Sequence, residues 1–251
     1  MKKVLILAHR GDPGNAPENT VSSFRKAMET QADGLELDVQ LTSDGYPVVV
    51  HDDALGRTCN GRGYVKDSSL AELRKLDFGS WFSEKYTGEK IPLLEEVLEL
   101  THEGKLLLNI EMKASPGKYN EGLENRLSEM IRAYDAEDRI IISSFNHYSL
   151  VKIKEINTDL RIAPLYVSGI VDAWDYAKKL GAYGVHPLFS SVTDSIVKKC
   201  KDEGLAVFVW TVDKAEDILR MAAAGVSAVI TNKPAHALKI LSSAENKSNV
   251  V

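Results

Sequence analysis

The chain has 251 residues, of which 44% are hydrophobic and 27% charged, and its formal net charge is −5; this composition suits one large α/β domain or two small ones. The acidic balance lacks the basic footprint of a nucleic-acid-binding protein, so nucleic acid is excluded as a partner. Two widely separated cysteines, Cys59 and Cys200, predict no disulfide framework and a reduced, cytoplasmic compartment, and no apolar stretch is long enough to predict stable membrane insertion.

Strand-like runs alternate with amphipathic helical runs along almost the whole chain. The opening run ends at Ala8, which favours a first strand over a signal peptide. The predicted strands are 3–8, 34–40, 106–112, 139–145, 161–166, 182–186, 205–211 and 226–231. The predicted helices are 20–32, 93–103, 120–134, 147–156, 172–180, 193–202, 214–224 and 234–242. Eight strand–helix units of this size predict an α/β fold, a closed (β/α)8 TIM barrel spanning 1–251 as a single domain. An open doubly wound sheet is the alternative, but no Gly-x-Gly-x-x-Gly follows any strand.

One segment interrupts this alternation. Residues 42–91 separate the second strand from its helix, which is far longer than a usual connection. A turn at Thr42–Gly45 followed by the alternating run Pro47–His51 predicts a hairpin, and Leu70–Leu76 predicts a short helix. We therefore expect a small insertion at the barrel rim between the second strand and its helix. At the other end, the polar residues 243–251 predict a flexible tail.

Charged side chains stand at alternate positions near the ends of the second and third strands. Glu36 and Asp38 share one face of their strand, and Glu111 and Lys113 share one face of theirs. The carboxyl ends of barrel strands meet at one rim, so these residues should converge there with His9 and Arg10. Carboxylate oxygens without clustered cysteine or histidine favour a hard divalent cation, Mg²⁺ or Ca²⁺. A structural ion-pair network among the same side chains is the alternative.

A series of motifs then resembles the bacterial glycerophosphodiester phosphodiesterase family. The motifs, in chain order, are His9-Arg10-Gly11, Pro17-Glu18-Asn19-Thr20, Gly34–Gln40, Asp44-Gly45, His51-Asp52, Arg57-Thr58, Ile91-Pro92-Leu93, Ile110–Lys113, Ser143-Ser144-Phe145 and Trp210-Thr211-Val212. They run from the first strand to near the last. The resemblance implies a TIM barrel in which 42–91 is the family's insertion, and a divalent metal held by Glu36, Asp38 and Glu111.

The resemblance also implies an activity, the metal-dependent hydrolysis of glycerophosphodiesters (deacylated phospholipids) to glycerol 3-phosphate and an alcohol. The glycerol 2-hydroxyl is expected to attack first, giving a cyclic phosphate that water opens. Histidine carries protons at neutral pH, so His9 and His51 are the candidate acid and base, in an order that the sequence leaves open. Arg10 and Lys113 are candidate phosphate ligands. Glu18, Phe145 and Trp210 are candidates for contacts with the substrate or around the metal site.

The chain departs from the family pattern at three places, and two other functions are alternatives. Asp213 stands where many members have Asn, Asn232 stands where Asp is common, and 186–191 is less polar than in some relatives. A lysophospholipase D-like or phospholipase C-like enzyme would use the aromatic residues of the insertion to hold a lipid. A non-catalytic barrel that binds glycerophosphodiesters is the other alternative, although it would be expected to lack one of the residues above. The headgroup, the metal and the oligomeric state, including a homo-oligomer, stay open.

Overall fold

The computed structural model describes residues 4–104, 106–113 and 122–248. Its strands are β1 (Leu5–His9), β2 (Gly34–Leu41), β3 (Pro47–Val49), β4 (Leu107–Met112), β5 (Ile140–Ser144), β6 (Arg161–Tyr166), β7 (Gly184–Pro187), β8 (Ala206–Val209) and β9 (Ala228–Thr231). Its α-helices are α1 (Val21–Glu29), α2 (Leu70–Leu73), α3 (Leu94–His102), α4 (Leu123–Ala133), α5 (His147–Ile156), α6 (Ala173–Lys179), α7 (Asp194–Asp202), α8 (Ala215–Ala224) and α9 (Pro234–Ser248).

Eight of these strands form a closed parallel barrel. The sheet order is β1-β9-β8-β7-β6-β5-β4-β2-β3, and β1 also pairs with β2, which closes the ring and leaves β3 outside it. Each barrel strand is followed by a helix, with the insertion standing between β2 and α3. The predicted (β/α)8 TIM barrel is confirmed.

The alternation along β2 separates the core from the site. Leu35, Leu37 and Val39 pack against the surrounding helices, in a cluster that includes Phe24 of α1 and residues of α3 and α4. Glu36, Asp38 and Gln40 are also buried, but on the opposite face. A second apolar cluster contains six residues of five strands: Leu7, Ile141, Ala163, Phe208, Ala228 and Ile230. The second strand therefore presents carboxylates on the face opposite the helices.

The insertion between β2 and α3 has a small core of its own. Strand β3 pairs antiparallel with β2, as the predicted hairpin requires, and α2 covers the first four residues of the predicted helix Leu70–Leu76. Buried apolar residues join the parts of this segment: Val48, Val50, Cys59, Val65, Leu73, Phe78 and Ile91. The carboxylate of Glu89 accepts hydrogen bonds from Ser22 at the start of α1, so the insertion is anchored to the barrel rim.

Except at the end of α9, the boundaries of the described elements lie within three residues of the predicted ones. The first residue of the predicted strand 3–8 and the residues before 122 of the predicted helix 120–134 lie outside the described residues. Helix α9 continues to Ser248, six residues beyond its predicted end, and 249–251 of the predicted tail lie outside the description. Among the described helices, none is long and apolar enough to cross a membrane.

Candidate functional site

Three carboxylates lie together at the carboxyl ends of β2 and β4. Asp38 stands beside Glu111 in the parallel pairing of these strands, and Glu36 lies one inward position earlier on β2. One oxygen from each of the three lies within 4.8 Å of the others, and the side chains are nearly inaccessible, with residue exposures of 1%, 9% and 3% for Asp38, Glu111 and Glu36. The sequence-predicted metal ligands are therefore adjacent in the folded chain.

Burial and mutual repulsion disturb the ionisation of these groups. Burial, with the charges of Asp38 and Glu111 added, raises the pKa of Glu36 well above its usual range. Burial and the charge of Asp38 raise the pKa of Glu111 to about 7. Burial would also raise the pKa of Asp38, but Lys113, Arg10 and a hydrogen bond from Asn19 outweigh it and hold that pKa below the usual range. Three buried carboxylates this close are unfavourable unless positive charge offsets them.

Two cations contact the cluster without fully neutralising it. The ammonium group of Lys113 lies 2.7 Å from Glu111 Oε1 and 3.4 Å from Asp38 Oδ1. The guanidinium of Arg10 lies 3.3 Å from Asp38 Oδ2, but it also donates to Glu18 at 2.8 Å. The ion pairs of the structural alternative thus exist. They leave Asp38 Oδ1 without a hydrogen bond among the described residues, and the two cations face the three carboxylates of the cluster while Arg10 is shared with Glu18. A hard divalent cation therefore fits the remaining charge.

A tight turn after β1 sets the position of Arg10. Arg10 has φ 55° and Gly11 has φ 89°, and a Cβ on Gly11 would lie 2.3 Å from Ser23 Oγ, so only glycine fits there. The turn directs the backbone N–H of Arg10 to Glu36 Oε2 at 3.0 Å. Both the main chain and the side chain of Arg10 therefore contact the carboxylate cluster.

His9 ends β1 at the edge of the same cluster. Its Nδ1 lies 2.7 Å from Asn232 Oδ1, and its Nε2 lies 3.8 Å from Glu36 Oε2. Burial and the adjacent charge of Arg10 lower the pKa of His9 to about 4. This shift favours the neutral form of the ring at physiological pH.

His51 enters the site from the insertion. Its Nδ1 lies 2.7 Å from Asp52 Oδ1, and the guanidinium of Arg57 donates to both Asp52 and Glu18. Burial opposes ionisation of Asp52, yet the hydrogen bonds from Arg57 and His51 lower its pKa to about 2. A chain of polar contacts thus links His51 through Asp52, Arg57 and Glu18 to Arg10.

Two amide side chains whose roles the sequence did not indicate shape the site. The amide nitrogen of Gln40 donates to the carbonyls of Val50, His51 and Asp52, which fixes the backbone that carries the second histidine. Asn19, at φ 55°, donates to Asp38 Oδ2 at 2.8 Å. The helix α1 is capped by the side chain of Thr20, so the side chain of Asn19 serves the carboxylate cluster rather than the helix. Gln40 shares a strand face with Glu36 and Asp38, and that alternation is the signal that could have identified it.

The remaining candidates lie around this centre. Glu18 joins Arg10 to Arg57 and is not one of the three clustered carboxylates. Phe145 and Trp210 pack edge to face with ring centroids 5.5 Å apart, Phe145 is 43% exposed, and the Trp210 indole donates to the carbonyl of His186. These two rings form an accessible apolar surface after β5 and β8.

Comparison with known proteins identifies the family. The model of the glycerophosphoryl diester phosphodiesterase family matches residues 9–236. The chain belongs to this family. It is 49% identical to a glycerophosphodiester phosphodiesterase of Caldanaerobacter subterraneus over 92% of this chain and 95% of that protein. It is also similar to a phosphodiesterase of Oleispira antarctica, solved with the product sn-glycerol-3-phosphate, with 31% identity, a TM-score of 0.88 and coverage of 95% and 96% of the two chains.

A third relative of this phosphodiesterase family gives the same result for the fold. The solved glycerophosphodiester phosphodiesterase of Parabacteroides distasonis is 29% identical, with a TM-score of 0.82 over 96% of this chain and 98% of that one. The match includes the segment 42–91, since the family model and each of these relatives cover nearly the whole chain. The sequence-based recognition is confirmed.

Proposed function

We propose that this phosphodiesterase hydrolyses glycerophosphodiesters to glycerol 3-phosphate and an alcohol, with Glu36, Asp38 and Glu111 holding a divalent cation. The observation that carries the proposal is the buried carboxylate trio bordered by His9, Arg10 and Lys113 at one end of the barrel. The names of the relatives and the product bound to the Oleispira antarctica enzyme support the substrate class.

The donor set suits Mg²⁺ or Ca²⁺. All three candidate ligands offer carboxylate oxygens, which hard cations prefer. A cation bound there supplies Lewis acidity toward a non-bridging phosphate oxygen and a template for the substrate. Arg10 offers a planar fork to a second phosphate oxygen, and Lys113 adds a point charge beside it. Arg10 and Lys113 would then contact both the carboxylates and the phosphate of the substrate.

The surroundings of the two histidines favour different roles. His9 is neutral and its Nδ1 faces the uncharged amide of Asn232, so its Nε2 is suited to accept the proton of the attacking hydroxyl. His51 has an ionised carboxylate, Asp52, on Nδ1, which orients the ring and offsets a positive charge on it. It is therefore suited to protonate the departing alkoxide. Attack by the glycerol 2-hydroxyl forms one P–O bond, giving a cyclic phosphate, as the P–O bond to the alcohol breaks, and the proton given by His51 stays on the alcohol. Water then opens the cyclic phosphate to glycerol 3-phosphate, a step that returns both histidines to their starting protonation states.

The rings of Phe145 and Trp210 are proposed to contact the carbon atoms of glycerol. They are the aromatic pair after β5 and β8, and an apolar face suits a three-carbon alcohol with its hydroxyls directed elsewhere. Glu18 is proposed to hold Arg10 and Arg57 in place and to accept a glycerol hydroxyl. Its side chain is 13% exposed.

A lysophospholipase D-like or phospholipase C-like activity has less support. It would require the insertion's aromatics to receive an acyl chain, yet Phe78 packs in the insertion core and Phe82 packs edge to face between Trp81 and Tyr86. The Tyr86 hydroxyl donates to the carbonyl of Asn15, which ties these rings to the barrel. A non-catalytic barrel is disfavoured because both histidines and all three carboxylates are present.

The substrate assignment predicts faster turnover of a deacylated substrate. We expect kcat/KM for glycerophosphocholine to exceed that for lysophosphatidylcholine by at least about tenfold, which corresponds to about 1.4 kcal/mol of transition-state binding. Enzyme-coupled detection of choline measures the release from both substrates, and coupled detection of glycerol 3-phosphate measures the second product of glycerophosphocholine. Equal or higher efficiency with lysophosphatidylcholine would replace the proposed substrate with a lysophospholipid.

Metal binding should stabilise the fold, and more so at high pH. The pKa of Glu36 is raised well above its usual range and the pKa of Glu111 is raised to about 7. The fold without a bound cation therefore loses stability as pH rises from the unfolded pKa of these groups through their folded pKa. A cation binds the ionised forms, so acid competes with it. At about 100 times its Kd, Mg²⁺ or Ca²⁺ should add ~2.7 kcal/mol, raising Tm by roughly 5–10 °C at pH 8 and by less at pH 5.5. Differential scanning fluorimetry after chelation measures this; an equal shift at both pH values would contradict it.

A cytoplasmic location is also proposed. Cys59 and Cys200 are both buried free thiols, and reduced cysteines are usual in the cytoplasm.

A further inference from the structure

A polar relay crosses three neighbouring strands and ends at His9. Strands β8, β9 and β1 are adjacent in the barrel, and Asp213, Asn232 and His9 lie at or just beyond their carboxyl ends. Asp213 Oδ2 accepts from Asn232 Nδ2 at 2.8 Å, and Asn232 Oδ1 lies 2.7 Å from His9 Nδ1. Asp213 Oδ1 accepts from the Thr231 hydroxyl at 2.9 Å and from the backbone N–H of Asn232 at 2.8 Å.

This arrangement leaves one consistent set of hydrogen positions. A carboxylate only accepts, so the end of Asn232 that faces Asp213 must be its NH₂ group, and the end that faces His9 must be its carbonyl oxygen. That oxygen also only accepts, so the hydrogen of the contact belongs to His9 Nδ1. The result holds whether or not the other ring nitrogen carries a proton. His9 Nε2, on the side of Glu36, is thereby left as the nitrogen that exchanges a proton.

We infer that Asp213 is a positioning residue that acts through Asn232 to hold a hydrogen on His9 Nδ1 and to direct Nε2 toward the reacting atoms. The inference rests on the proposed role of His9 in the phosphodiesterase reaction. Asp213 touches neither the ring of His9 nor the carboxylate cluster among the described contacts; its effect passes through the orientation of one amide.

Asp213→Asn should reverse this orientation. The backbone N–H of Asn232 still requires an oxygen from residue 213, which fixes the carbonyl oxygen of the new amide at that N–H. The NH₂ group of the new amide must then face the side chain of Asn232. Asn232 then has to turn its own NH₂ to His9 Nδ1, which forces the hydrogen of the neutral ring onto Nε2. A carboxylate-to-amide change that enforces the wrong histidine tautomer lowers kcat about 10⁴-fold in a serine protease. We expect kcat to fall by about 10²-fold or more with little change in KM.

The reciprocal double variant Asp213→Asn/Asn232→Asp should rescue the reaction. In this variant the amide at position 213 would donate to one carboxylate oxygen of the residue at position 232, while the other oxygen accepts from His9 Nδ1, so the original tautomer returns. We expect the double variant to be at least about tenfold more active than Asp213→Asn. Asp217→Asn, at a half-buried position of α8 that pairs with Arg220 and lies outside the relay, is the matched control and should keep wild-type activity.

Two measurements on the full chain, with and without Mg²⁺, test the relay. The first is the rate of glycerol 3-phosphate release. The second is ¹⁵N NMR of ring-labelled histidine, in which the signals of His9 are assigned by their loss in His9→Gln. The expected result is Nδ1–H in wild type and the double variant, and Nε2–H in Asp213→Asn. Wild-type kcat in Asp213→Asn, an unchanged tautomer, or a double variant no better than the single one would overturn the inference. If Asp213→Asn does not fold, Asn232→Leu replaces it and should show both tautomers with reduced kcat; a sole Nδ1–H tautomer with full activity would overturn the inference.

The failure of this relay and the failure of the proposed function are distinguishable. A wild-type protein that releases no glycerol 3-phosphate counts against the proposed function. The tautomer of His9 is measured on the same samples without reference to activity, so the NMR result decides the relay independently.

Discussion

His9→Ala and His51→Ala are each expected to lower kcat by about 10²–10⁴-fold, the usual contribution of a general acid or base. Each histidine has one nitrogen engaged by a fixed partner, Asn232 or Asp52, so its other nitrogen can act on the substrate. The loss should lie mainly in kcat, because phosphate binding is assigned to Arg10, Lys113 and the cation. Steady-state kinetics of glycerol 3-phosphate release measure both parameters.

The control for this pair is His102→Ala, which removes an exposed histidine at the end of α3. All three variants should keep the wild-type circular dichroism spectrum, since the apolar barrel clusters do not include these histidines. The two assigned roles add a finer test. With a substrate whose leaving group is a good one, such as a nitrophenolate, His51→Ala should recover most of its rate and His9→Ala should not, because only the acid becomes dispensable. Near-wild-type turnover in either histidine variant on glycerophosphocholine would remove that residue from the mechanism.

The fold and the centre of the site could be predicted from local patterns. Apolar residues alternate with Glu36, Asp38 and Glu111 along short strands, and helical runs separate those strands, so a barrel with a charged rim follows from periodicity. The contact of Asn19 with Asp38 could not be predicted in the same way. It depends on a left-handed backbone at residue 19, which an asparagine before a helix-capping threonine does not reveal.

Two of the three departures from the family pattern illustrate a second limit. Asp213 and Asn232 are far apart in the sequence, with helix α8 between them, and no periodicity connects them. They meet because β8 and β9 pair and β9 in turn pairs with β1, which also brings Asn232 to His9. Barrel closure therefore joins two positions whose effect the sequence left open into one hydrogen-bonded relay.

Glu36→Gln is expected to lower kcat/KM by about 10²-fold or more, because it removes one charge from the proposed metal site and metal-ion stabilisation is worth several kcal/mol. The amide keeps an oxygen that can accept from the N–H of Arg10, so the turn after β1 need not change. Isothermal titration should find much weaker binding of Mg²⁺. Glu129→Gln, at an exposed position of α4, is the matched control.

The same variant separates a metal site from a structural ion-pair network. The pKa of Glu36 is raised by burial and by its carboxylate neighbours, so the fold without a bound cation loses stability as pH rises above the unfolded pKa of this group. Glu36→Gln in EDTA at pH 8 should then melt no lower than wild type. A network in which Glu36 served mainly as the partner of Arg10 predicts the opposite, a lower Tm with activity retained.

The most direct test of the proposed metal dependence is glycerol 3-phosphate release from glycerophosphocholine by wild-type protein, measured after EDTA treatment and again after adding Mg²⁺ or Ca²⁺ in excess. Chelation is expected to abolish release, and one or both cations are expected to restore it. Neither cation should restore release in Glu36→Gln to more than about 1% of wild type. Full release in excess EDTA would contradict the assignment of the three carboxylates as a metal site on which the phosphodiesterase activity depends.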